Sequence, residues 1–138
     1  MYKLIKQRAK TMGTRSAIGY KLPNGKIRAK YCHWDGYVEG GVGQTLQESY
    51  QAAFKIGRMV ELGDMSTLAA EIDDCVFYGR DKGETNVDAQ DYDDFDELTT
   101  SYEGCAYFYV WNGNEWLVSE GNLVFDRVED LLEILAPA

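Results

Sequence analysis

Two short segments constrain this chain more than any others. Pro23-Asn24-Gly25 and Asn112-Gly113-Asn114 each stand between runs rich in β-branched and aromatic residues. The runs are Thr14 to Leu22 and Lys26 to Trp34 around the first, and Cys105 to Trp111 and Glu115 to Ser119 around the second. Asn-Gly readily adopts the left-handed backbone that a tight antiparallel turn requires, so each segment predicts a β-hairpin. With the first turn centred between Asn24 and Gly25, residues whose numbers sum to about 49 should face each other, setting Arg15 across from Trp34 and Ser16 across from His33.

After Thr45 the pattern changes period. Leu46, Tyr50, Ala53, Phe54, Gly57 and Val60 fall on one face of a helix, Thr45 and Glu48 form a capping box at its start, and Gly63 suits its C′ position. Ser66 is placed to cap a second short helix through Ile72, and Cys75-Val76-Phe77-Tyr78 reads as a lone buried strand ended by Gly79. Val124, Val128, Leu131, Leu132 and Leu135 recur at helical spacing, closed by Pro137. The expected fold is α+β: a largely antiparallel sheet of about five strands (two hairpins and one strand), with a long central helix and a C-terminal helix packed on it. Tyr50, Phe54, Val60, Leu131 and Leu135 should face that sheet. At 138 residues and 45% hydrophobic, the chain is expected to form a single domain, 1–138, with 1–11 as an N-terminal extension.

Charge narrows the partners. Lys and Arg total 14 against 23 Asp and Glu, a net charge of −9, which disfavours nucleic acid and anionic membrane as direct partners. The acidity is concentrated. Glu84, Asp88, Asp91, Asp93, Asp94, Asp96, Glu97 and Glu103 fall in a stretch without Lys or Arg, so 84–103 is read as an acidic loop or short helix. No apolar run approaches the roughly 18 residues of a membrane span, and Met1 to Thr11 lacks the apolar core of a secretory signal, so the expected location is the cytoplasm. Cys32, Cys75 and Cys105 are odd in number and contain no CxxC pair, which suits reduced thiols and no zinc site. Asp91, Asp93 and Asp96 fail as an EF-hand, because Asp96 stands where that loop needs Gly and Tyr102 where it needs Glu. No metal or cofactor is expected.

The densest set of functional side chains is Tyr31-Cys32-His33-Trp34-Asp35-Gly36-Tyr37, followed by Gly40-Gly41-Val42-Gly43. Glycines leading into a helix can leave backbone N–H groups free for an anion, Trp34 and Tyr37 can stack a base, and Arg15, Arg80 and Lys82 can reach a phosphate. The candidate ligand-binding set is therefore Arg15, His33, Trp34, Asp35, Tyr37, Gly41, Gly43, Arg80 and Lys82, for a small nucleotide-like anion. The competing reading makes the glycines a connection into a capped helix and packs Trp34 and Tyr37 in the core. His33 and Asp35, at i and i+2, also suggest acid–base work on a phosphoester, but no nucleophile accompanies them, so the chain is not read as an enzyme.

Met12-Gly13-Thr14-Arg15-Ser16, the Tyr31 to Tyr37 string, Leu62-Gly63-Asp64-Met65-Ser66, Tyr78-Gly79-Arg80-Asp81-Lys82-Gly83-Glu84 and Trp116-Leu117-Val118-Ser119 together resemble a family of small proteins encoded by tailed bacteriophages. The resemblance runs from about Met12 to the C-terminus, and its most specific motif is YCHWDGY. It brings no catalytic residues with it. It implies a phage accessory protein in the host cytoplasm that counters host defence. Two binding roles follow as expectations: sequestering a small nucleotide-type signal, or inhibiting a host protein by occupying its basic nucleic-acid-binding surface. A homo-oligomer is compatible with both.

Overall fold

The structure, a computed structural model, describes residues 13–135, so the expected extension at 1–11 and Pro137 lie outside the described residues. In chain order the elements are β1 (Ser16–Lys21), β2 (Ile27–Cys32), α1 (Val42–Ser49), α2 (Ala53–Glu61), β3 (Met65–Thr67), a 3-10 turn (Ile72–Asp74), β4 (Val76–Phe77), α3 (Tyr78–Lys82), β5 (Gln90–Tyr92), α4 (Phe95–Ser101), β6 (Tyr107–Trp111), β7 (Trp116–Ser119), β8 (Asp126–Arg127) and α5 (Val128–Leu135). Both hairpins form, β1–β2 and β6–β7. They lie side by side through parallel pairing of β1 with β6.

The fold is α+β, but the sheet has eight strands rather than about five, in the order β4-β3-β2-β1-β6-β7-β8 with β5 also on β2. Parallel pairs are β1–β6 and β2–β3, and the other pairs are antiparallel. The strands missed from sequence, β3, β5 and β8, are two or three residues long, too short to show alternation. Ser66 lies in β3 rather than at a helix start, because His33 N–H and Trp34 N–H donate to the Met65 and Ser66 carbonyls. Asp126 and Arg127 join β7, so the last helix starts at Val128 rather than Val124.

The long central helix is also corrected. It is two helices, broken at Tyr50, whose backbone is non-helical (φ −126°, ψ 73°). The buried Trp116 indole N–H donates to the Tyr50 carbonyl at 2.8 Å, and the Tyr50 hydroxyl donates to the Ala69 carbonyl at 2.7 Å. Lys55 Nζ donates to the Ser49 carbonyl. Helix α1 starts at Val42 with Gly41 as its N-cap, so Thr45 lies inside it and caps nothing. The break turns Phe54 outward to 87% exposure, whereas Tyr50, Val60 and Leu131 are buried as expected and Leu135 is partly so. Gly63 does take the left-handed C′ position after α2 (φ 86°).

Each face of the sheet carries a core. Ile18, Cys32, Tyr107, Tyr109, Trp111, Trp116 and Val118 pack with α1, α2 and α5 on one side. Ala17, Ile27, Ala29, Phe108 and Val110 are covered on the other by Tyr92, Leu98, Phe95 and Tyr102 from the acidic stretch. That stretch is therefore a lid, with apolar residues inward and carboxylates outward. Lys30 is fully buried on the first face, where its ammonium donates to the Met59 and Gly63 carbonyls (3.1 Å each) at the C-terminal end of α2 and lies over the Phe77 ring. Burial lowers its pKa to about 8.

Candidate functional site

The register of the first hairpin sets the geometry. Leu22 N–H donates to the Lys26 carbonyl and Lys21 pairs with Ile27, so Pro23-Asn24-Gly25 is a three-residue loop, with Gly25 left-handed at φ 89°. Ser16 therefore faces Cys32, one residue off the expected register. Continued by one residue, this sets Arg15 across from His33 rather than Trp34, and Ser16 across from Cys32 rather than His33.

Segments distant in sequence meet at this end of β2. Gly36 N–H donates to the Thr14 carbonyl, the Asp64 carboxylate accepts the Tyr31 N–H at 3.0 Å, and the Asp64 carbonyl accepts the Tyr78 N–H. Burial raises the Asp64 pKa, an effect the Tyr31 N–H opposes. The Tyr31 hydroxyl and His33 Nδ1 share a hydrogen bond of 2.6 Å, and Trp34 packs edge-on to the imidazole with ring centres 4.3 Å apart. Asp35 adopts a left-handed backbone (φ 57°) and its carboxylate accepts the Tyr37 hydroxyl at 3.0 Å. His33 and Asp35, expected to work together, are thus each held by a different tyrosine.

The glycines serve packing. Val42, Gly43 and Gln44, which supply the first N–H groups of α1, donate to the carbonyls of Asp35, Tyr37 and Val38 (2.8, 3.2 and 2.8 Å). Those donors are spent inside the fold. A β-carbon on Gly41 would overlap the Asp35 and Tyr37 carbonyls, and one on Gly43 would lie 2.8 Å from the Val38 Cα. Both positions need glycine for close approach.

The predicted cations separate. Met65 pairs with both Cys32 and Phe77, which puts Phe77 on the Cys32 face of the sheet. The Arg80 guanidinium lies over the Phe77 ring at 4.7 Å and donates to Asp81 and to the Ile72 and Cys75 carbonyls. Arg15 and His33 belong to the opposite face. Lys82 lies over the Tyr78 ring, 5.8 Å from its centre. Arg15 is exposed, and among the described residues its guanidinium makes no hydrogen bond or ion pair.

Cys32 and Cys105 are poor nucleophiles. Burial pushes Cys32 up to about 11 and Cys105 up to about 12, so both are protonated at neutral pH. Among the described residues no group of three or more His, Cys, Asp or Glu is placed to hold a metal, and no helix is long and apolar enough to cross a membrane.

All eight carboxylates of the acidic stretch are exposed. Two meet cations: Asp91 takes the Arg28 guanidinium at 2.7 and 3.2 Å, which holds its carboxyl below the usual range, and Asp93 lies 3.2 Å from Lys26. Arg28 also donates to Glu61 at 2.6 Å, beside a depression of about 450 Å³ lined by Asp88 and Asp91. The Asp94 carboxylate accepts the Glu97 N–H at 2.9 Å and Glu97 in turn accepts the Asp93 N–H, which fixes the start of α4. Asp64 and Lys30 have no place in the sequence reading of the site, and Tyr31, which opens the Tyr31 to Tyr37 string, stands outside its binding set.

No protein-family model, curated protein or solved structure matches this chain.

Proposed function

We propose that this is a phage accessory protein that acts in the host cytoplasm by binding rather than catalysis, inhibiting a host protein by laying its acidic face on that protein's basic, nucleic-acid-binding surface. One observation carries the reading: eight exposed carboxylates, two of them matched by cations, stand on a lid that Tyr92 and Leu98 anchor in the core. Carboxylates held on packed backbone lose less freedom on binding than those of a loose acidic tail. Their field speeds encounter with a basic partner and favours it over an acidic one.

This reading is favoured over nucleotide sequestration because most of the proposed cradle is committed within the fold, namely the amides of residues 42–44 and the Arg80 guanidinium. Protonated thiols and the separate engagement of His33 and Asp35 favour binding over catalysis.

The test is a variant combining Asp93→Asn, Asp94→Asn, Asp96→Asn and Glu97→Gln. Asn keeps the helix cap, and the lost Lys26 pair is exposed, so the fold should hold. Immobilised wild-type protein should capture nucleic-acid-binding proteins from a bacterial lysate and release them to duplex DNA, and the variant should capture none of them. Equal capture by both would refute the proposal.

A further inference from the structure

We infer that Arg15, His33 and Trp34 form a second binding site, separate from the acidic face, for a small phosphate monoester carrying a flat ring. Three independent features of the fold meet there. The first is an arginine that the ion pairing leaves over. The guanidinium groups of Arg28, Arg80 and Arg127 are engaged by carboxylates, whereas those of Arg15 and Arg58 are exposed and make no hydrogen bond or ion pair among the described residues; Arg58 lies on α2, across the sheet from His33, which leaves Arg15. Its backbone is nonetheless fixed, since the Arg15 carbonyl accepts the Ala106 N–H at 2.9 Å and extends the parallel β1–β6 pairing. The side chain passes over Gly104, with Nη1 3.6 Å from where a β-carbon would stand.

The second feature is a pre-set imidazole. The Tyr31 hydroxyl occupies His33 Nδ1 at 2.6 Å, which leaves Nε2 as the ring's remaining polar atom. With the hydroxyl donating, Nε2 carries the proton and can donate to an anion. The hairpin register sets Arg15 and His33 on the same face of neighbouring strands, and the Arg15 charge reaches the Tyr31 hydroxyl that holds the imidazole. The third is Trp34, half-buried, with its ring orientation fixed by edge contact with His33. Its partly exposed ring offers a stacking plane beside the imidazole.

The Thr14-Arg15, Tyr31-to-Tyr37 and Gly63-to-Ser66 segments are distant in sequence, and backbone hydrogen bonds from Gly36 to Thr14, His33 to Met65 and Trp34 to Ser66 bring them to one end of the sheet.

Amide chemical-shift titration of the isotope-labelled full chain tests the site, with AMP, inorganic phosphate and adenosine as separate probes. AMP should shift residues around Arg15, His33 and Trp34, phosphate should shift the first two at roughly 10-fold higher concentration, and adenosine should bind weakest. Arg15→Ala should weaken AMP by about 10-fold or more without lowering the melting temperature, and Arg15→Lys should recover part of the loss, because an ammonium lacks the guanidinium fork. The acidic-face variant should bind AMP as wild type does, which keeps this test apart from the previous one. Absence of AMP shifts at these residues, or unchanged AMP affinity in Arg15→Ala, would overturn the inference. Equal affinity for phosphate and AMP would overturn Trp34's part in it.

Discussion

Lys30→Met examines the packing of the sheet against α2 through the buried ammonium between them. The Lys30 ammonium is held by two carbonyls and an aromatic ring, and burial lowers its pKa from 10.5 to about 8. Between those values the unfolded chain holds a proton that the folded one has released, so folding stability gains as pH rises through the window. The fall in pKa corresponds to about 3 kcal/mol across the whole window. Methionine fills similar volume without a charge and removes this dependence, at the expense of two hydrogen bonds. Urea unfolding of both proteins at several pH values is the assay. Cys32, Cys75 and Asp64 face Lys30 in both proteins, and the Lys30 charge acts on Cys32 and Asp64 in wild type alone, so the difference carries that coupling together with the titration of Lys30 itself. Wild type should gain about 2–3 kcal/mol relative to Lys30→Met between pH 7 and pH 10, most of it above pH 8. A difference that does not vary with pH would mean that Lys30 is not buried as an ammonium, and the packing of α2 against β2 would have to be redrawn.

Two substitutions test the broken helix together: Leu131→Ala, at a buried position, should cost roughly 2–5 kcal/mol, while Phe54→Ala should stay within about 0.5 kcal/mol because the ring is 87% exposed. A large loss from Phe54→Ala in thermal or urea unfolding would restore the continuous helix. Asp94→Ala should cost about 1 kcal/mol by removing the cap on α4, and Asp94→Asn should cost less; equal losses would assign the effect to charge rather than to the cap.

The parts of this fold legible in the sequence are those fixed by nearby residues. Asn24-Gly25 and Asn112-Gly113 bend the chain where they stand, so both hairpins could be read, as could the left-handed Gly63. The register of the first hairpin could not, because Pro23 joins the loop and moves its centre by half a residue. The helical period through Tyr50 is present in the sequence and loses to a distant competitor, the Trp116 indole that takes the Tyr50 carbonyl. In the same way Lys30 sits in an alternating strand like any surface lysine, and only α2 packing above it makes it buried. At the candidate site, Arg15, His33 and Trp34 were legible as a cluster of residue types. The fate of the glycines depended on the left-handed turn at Asp35, which aims carbonyls at the very amides that a free helix start would offer to an anion.

Amide hydrogen exchange on this protein, alone and with a captured partner, shows which surface the partner covers. Slowed exchange is expected in β5 and α4, from about Gln90 to Ser101, with the amides of the Tyr31 to Tyr37 segment unchanged. Slowed exchange confined to the Tyr31 to Tyr37 segment, with β5 and α4 unaffected, would contradict binding through the acidic face.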